Sequence, residues 1–144
     1  MSKREIGDQK NASYDFLLED QNGNKISLEQ LKGKTIFLNF WATWCYPCRV
    51  EMPDLAAVHQ ANEDIIVVGV NYLEDAETAR AFVEEYKLPF PIILDEKGWL
   101  IGEMNVKALP TTYFIDPEGQ LIGSHIGPLN EEALLEMVER LRNG

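Results

Sequence analysis

The stretch Thr35-Ile36-Phe37-Leu38-Asn39-Phe40-Trp41-Ala42-Thr43-Trp44-Cys45-Tyr46-Pro47-Cys48 decides the fold. Its first seven residues are β-branched and aromatic, with apolar side chains on both faces, the pattern of a central strand covered from both sides. The strand runs into Cys45-Tyr46-Pro47-Cys48, which holds both cysteines of the chain. At a helix start, positions i and i+3 lie on one face, close enough for a disulfide. Pro47 fits the first helical turn, where a missing N–H costs nothing. A thiol at a helix N-terminus sits where free N–H groups and the helix dipole favour a thiolate. Cys45 is therefore the expected nucleophile and Cys48, one turn further in, the expected resolving thiol.

Working outward, the punctuation outlines alternating strands and helices. Before the central strand, alternation over Tyr14–Leu18 predicts a short strand, Gln21-Asn22-Gly23-Asn24 a turn, Lys25–Ser27 a second strand and Leu28–Leu31 a short helix. After the cysteines, helical spacing runs over Val50–Ala61 (Met52, Leu55, Ala56, His59), an apolar strand over Ile65–Val70 and an amphipathic helix over Ala76–Tyr86. Ile92–Leu94 reads as a strand, Gly98–Met104 as a short helical stretch and Thr112–Ile115 as a strand. Asp116-Pro117-Glu118-Gly119 joins the last of these to Gln120–Ile126 as a hairpin, and Asn130 caps a closing helix over Glu131–Leu141. This order predicts an α/β domain with a central mixed sheet flanked by helices. We expect one domain over residues 1–144, with about the first 12 as a flexible tail.

Composition narrows the function. The chain of 144 residues is 45% apolar, enough for one core. Its 24 acidic against 13 basic residues give a formal charge of −11, which repels nucleic acid. The apolar run Thr35–Trp44 falls well short of the roughly 20 residues of a membrane-spanning helix. The polar start, Met1–Tyr14, lacks the apolar segment of a secretory signal. Two neighbouring cysteines close so small a loop that the disulfide stabilises by only about 2 kcal/mol on the chain-entropy estimate, so chemistry explains them better than stability. A zinc site needs more ligands than His59 and His125 can add at their spacing, and each histidine reads as structural. No metal is expected.

Asn39-Phe40-Trp41-Ala42-Thr43-Trp44-Cys45-Tyr46-Pro47-Cys48, Glu51-Met52-Pro53 and Leu109-Pro110-Thr111-Thr112-Tyr113-Phe114 together resemble the thioredoxin-like thiol–disulfide oxidoreductases of the TlpA/ResA/StoA type, over about Tyr14 to Leu141. The resemblance implies a thioredoxin-like fold with an N-terminal β extension and a central insertion. It implies disulfide exchange with protein partners, in the reducing direction, with a thiol electron donor, without a dissociable cofactor, by a monomer outside the cytoplasm; a cytoplasmic thioredoxin-like protein is the alternative location. It makes Leu109–Pro110 the cis-proline segment, where the backbone at Leu109 pairs with an extended substrate. Trp44, Tyr46 and Pro47 become the rim that meets the partner, and Trp41 core. Plain thioredoxins carry an aspartate where this chain has Asn39, which cannot titrate. The resemblance assigns Glu74 instead as the acid near the cysteines; a helix-start acid beside Asp75 and Glu77 is the alternative. The rival functions are a peroxiredoxin-like peroxidase and a soft-metal-binding module on the two thiols.

Overall fold

The computed structural model describes residues 18–143. The expected tail, residues 1–12, and positions 14–17 of the first expected strand lie outside the described residues. The chain runs through β1 (Leu18–Glu19) paired antiparallel with β2 (Lys25–Ile26), a 3₁₀ turn (Leu28–Leu31), β3 (Thr35–Trp41), α1 (Tyr46–Ala61), β4 (Ile65–Tyr72), α2 (Ala76–Tyr86), β5 (Ile92–Asp95), α3 (Trp99–Glu103), β6 (Thr111–Ile115), β7 (Leu121–Ile126) and α4 (Glu131–Asn143). Five strands form one sheet in the order β5-β4-β3-β6-β7. β3, β4 and β5 run parallel; β6 and β7 run antiparallel to their neighbours. This is the mixed sheet expected, and an isolated bridge from Asp20 to Ile93 ties the small hairpin to the β5 edge.

The strand β3 is central because its two faces carry separate halves of the core. Phe37 and Trp41 pack with Cys48, Met52, Leu55 and Val58 of α1, Phe82 of α2 and Leu134 and Val138 of α4. Ile36, Leu38 and Phe40 pack with Val68, Val70, Ile93, Leu100, Met104 and Tyr113. Period-two alternation along a strand sorts the residues this way. Asn39, between Phe37 and Trp41 in the alternation, therefore carries a polar side chain into the α1 face.

Helix α1 begins at Tyr46, as the cysteine motif predicts, although the apolar spacing starts only at Val50. The physical reason is that Tyr46, Pro47 and Arg49 of the first turn are exposed and contribute no apolar period. The strands β4 and β5 likewise continue past their apolar runs, to Tyr72 and Asp95, through pairing of Asn71 with Leu94 and Tyr72 with Asp95. Asp95 is buried and accepts from the N–H groups of Leu100 (3.0 Å) and Ile101 (2.9 Å), which starts α3. Asn130 accepts from the N–H of Ala133 at 2.8 Å, capping α4. His59 is structural: its Nδ1 accepts from the N–H of Val67 at 3.1 Å, and burial, aided by Lys34, lowers its pKa.

Gly69 of β4 is a packing requirement. A Cβ there would lie 2.8 Å from both Ile92 Cδ1 and Trp41 Nε1. Gly69→Ala should destabilise the protein by about 1–3 kcal/mol through overpacking and shift the fluorescence of the buried Trp41. Urea unfolding followed at both far-ultraviolet dichroism and tryptophan emission checks this; unchanged stability would mean that the sheet yields freely at this point.

Candidate active site

The parallel strands β3 and β4 end side by side, with Trp41 opposite Asn71 in register, and the site is built on the loops that leave them. Ala42 follows the strand, and its carbonyl accepts from the N–H of Cys45 at 3.2 Å, closing a turn that sets Cys45 at the N-cap of α1. The Sγ of Cys45 then accepts from the N–H of Cys48 at 3.3 Å. A sulfur in the N-cap position thus takes up one of the free helix donors, the placement that favours a thiolate. Cys45 and Cys48 are joined in a disulfide with their Cα atoms 5.3 Å apart, a normal span for that bond. Cys45 is 6% exposed and Cys48 fully buried.

Trp44 and Tyr46 flank that sulfur and are 65% and 69% exposed, while Pro47 is also exposed. Trp41 lies beneath in the core, its ring 4.8 Å from that of Phe82. The peptide bond between Leu109 and Pro110 is cis, Pro110 is buried and Leu109 half-buried. The carbonyl of Pro110 accepts from the N–H of Gly127 at 2.8 Å, tying this segment to the loop before α4.

Glu74 is engaged with the active-site loop from the side. Its Oε1 accepts from the N–H of Thr43 (2.9 Å) and from Nδ2 of the buried Asn71 (2.9 Å), and its Oε2 from the Thr43 hydroxyl. Asp75, rather than Glu74, caps α2 by accepting from the N–H of Thr78. Leu73, between the two loops, holds a left-handed backbone with φ 60° and donates to the carbonyl of Asp95.

The buried acid of the cysteine helix is a different residue, Glu51. It lies one turn after Cys48 on the buried face of α1. Its Oε1 accepts from Nδ2 of Asn39 at 3.0 Å and its Oε2 from the N–H of Leu129 at 2.8 Å. Burial pushes its carboxyl up to about 7, against the two hydrogen bonds, which favour the charged form; Asp54 adds to the rise. The sequence places Glu51 in the motif that carries the resemblance but assigns it no role. The available signal was an acid within the buried stripe Cys48, Met52, Leu55, where charge is rarely placed without a purpose.

Among the described residues, no group of three or more His, Cys, Asp or Glu could hold a metal ion, and no helix is long and apolar enough to cross a membrane.

Comparison with known proteins joins this geometry to a family: the AhpC/TSA family model matches residues 9–123. The chain belongs to the AhpC/TSA family. It is 40% identical to the thioredoxin-like protein YneN of Bacillus subtilis over 145 residues, 97% of this chain and 83% of that one. It is 37% identical to the thiol–disulfide oxidoreductase ResA of the same organism over 131 residues, 90% of this chain and 73% of that one. The crystal structure of an exposed lipoprotein thioredoxin from Streptococcus pneumoniae superposes with a TM-score of 0.78 at 29% identity, covering 88% of this chain and 99% of that one. With a cysteine pair bonded across the start of a helix in a thioredoxin-like fold, the chain is a thiol–disulfide oxidoreductase.

The oxidoreductase holds Glu51 with a folded-state pKa above its unfolded value. That contribution to stability is fully present below about pH 4.5 and is lost as pH rises through about 7. In the disulfide form, the stability of wild type relative to Glu51→Gln should fall by about 3 kcal/mol between pH 4.5 and pH 8. Urea unfolding at the two pH values measures it; a pH-independent difference would contradict the placement of Glu51.

Proposed function

We propose that this protein reduces disulfides in partner proteins outside the cytoplasm, acting as a monomer and drawing electrons from a thiol donor. The observation that carries the reading is the asymmetry of the pair: Cys45 caps the helix and keeps a slight exposure, whereas Cys48 is fully buried. The Cys45 thiolate attacks a sulfur of the partner disulfide and the other partner sulfur leaves as a thiol. Cys48, as thiolate, then attacks Cys45 in the mixed disulfide, releasing the second partner sulfur and leaving the oxidised Cys45–Cys48 pair. The proton of Cys48 has to go somewhere in a dry interior. Glu51, one turn away on the same face and poised near neutrality, is the acceptor we assign to it.

In this reading the partner chain lies extended against the backbone at Leu109, beside Pro110, with Trp44, Tyr46 and Pro47 as the apolar rim around the sulfur. Glu74 becomes a positioning residue: its bonds to both the N–H and the hydroxyl of Thr43 hold the loop that delivers Cys45. The names of relatives support the assignment. One is a thiol–disulfide oxidoreductase, another an exposed lipoprotein.

Two measurements test these roles. Cys45→Ser should abolish reduction of insulin, while Cys48→Ser should accumulate a mixed disulfide through Cys45 that mass spectrometry identifies. Trapping through Cys48 in the first variant would reverse the roles. Glu74→Ala should lower the rate of insulin reduction with no change in the pH midpoint of the reaction. A shifted midpoint would return Glu74 to the part of titrating acid.

A further inference from the structure

Asn39 is a polar side chain set among apolar neighbours. In the alternation of β3 it stands between Phe37 and Trp41, on the face covered by α1 and α4, and it is fully buried. Its Nδ2 donates one hydrogen to Glu51 Oε1 and the other to Thr112 Oγ1, each at 3.0 Å. Its Oδ1 is buried with no hydrogen-bond partner. Leaving a buried acceptor unmade is costly, so something fixes the amide in this orientation. Turned over, it would present oxygen to an ionised Glu51, and two acceptors would face each other. The orientation seen is the one that a carboxylate at Glu51 requires.

The surroundings single Asn39 out further. Leu129 donates to Glu51 by its backbone, which no side-chain substitution short of proline removes. The charged group acting on Glu51 is Asp54 of the same helix, which opposes ionisation. From β3, β6 and the loop before α4, Glu51 and its partner Asn39 meet neutral groups: the Asn39 amide, the Thr112 hydroxyl and the Leu129 N–H. Asn39 is thus the side chain that offers Glu51 a hydrogen bond from across the sheet interface.

We propose that Asn39 is a positioning residue for the reaction: by donating to Glu51 it keeps that buried acid able to ionise, and so sets the pH range in which Cys48 can give up its proton. The consequence for the reaction rests on the role proposed for Glu51 above. The hold of Asn39 on Glu51 does not. Thr112 serves the amide in turn, because its hydroxyl takes up the second N–H and stops the side chain from turning.

The test uses the full chain as wild type, Asn39→Leu and Glu51→Gln. The titration of the Glu51 carboxyl is followed by carbon NMR in the disulfide form, and the resolution rate of a mixed disulfide on Cys45 is measured against pH. Removing a hydrogen bond to a charged group should move the Glu51 midpoint up by about one to two pH units in Asn39→Leu. The midpoint of the resolution rate should rise with it. An unmoved Glu51 midpoint overturns the proposal. A Glu51 midpoint that moves without the rate profile sustains the hold of Asn39 on Glu51 and instead refutes Glu51 as proton acceptor. If Asn39→Leu does not fold, the side-chain amide resonances of Asn39 in wild type decide the matter. They should shift with the Glu51 titration and be flat in Glu51→Gln; flat signals in wild type overturn the proposal.

Discussion

The hydrogen bond from the N–H of Cys48 to the sulfur of Cys45 is the contact on which the functional architecture depends. It makes a cysteine the cap of α1, so the helix begins where the chemistry begins, and the dipole that stabilises the helix start is the one that favours a thiolate there. Everything around it serves to hold that helix start at the end of the central strand. β3 is buried on both faces and leads into the turn; Glu74 of the neighbouring loop grips Thr43; Met52, Leu55 and Val58 anchor the body of α1 against Phe37 and Trp41. Trp44 before the cap and Tyr46 and Pro47 in the first turn are exposed.

Behind the sulfurs the protein accepts a cost. Asn39, Glu51 and Thr112 form a polar knot in a region that apolar side chains would otherwise fill, with one acceptor of Asn39 unmade. Such a knot is weak evidence for stability and better evidence for chemistry. Glu51 gathers the cysteine helix, β3 and the loop before α4 on its two oxygens. That same loop binds the Pro110 carbonyl through Gly127. One loop thus bonds both the acid that follows Cys48 on α1 and the cis-proline segment.

Much of this was legible in the sequence, for identifiable reasons. The two-sided apolar run of β3 and the cysteine pair after it required a buried strand turning into a helix, and α2, whose amphipathic period is unbroken, falls at Ala76–Tyr86 as read. Boundaries read from apolar runs alone fell short where β4 and β5 continue to Tyr72 and Asp95, because such runs do not register the ladder hydrogen bonds of polar residues. The disulfide pair was legible because its spacing is local. Glu51 was not, because its meaning depends on Asn39 and Leu129, residues distant in sequence that only the folded sheet and the α4 loop bring together. Glu74 lies beside the active-site loop, yet its partners are Thr43 and Asn71, a geometry that no local pattern encodes.

The central claim is that Cys45 is the reactive thiol because it caps the helix and keeps the slight exposure that Cys48 lacks. The direct measurement is the rate of alkylation of the reduced protein against pH, with each labelled site located by peptide mapping. The account predicts that Cys45 is modified much faster than Cys48 at neutral pH, with a midpoint below the ordinary thiol value of about 8.5. Equal labelling of the two cysteines, or faster labelling of Cys48, would contradict it.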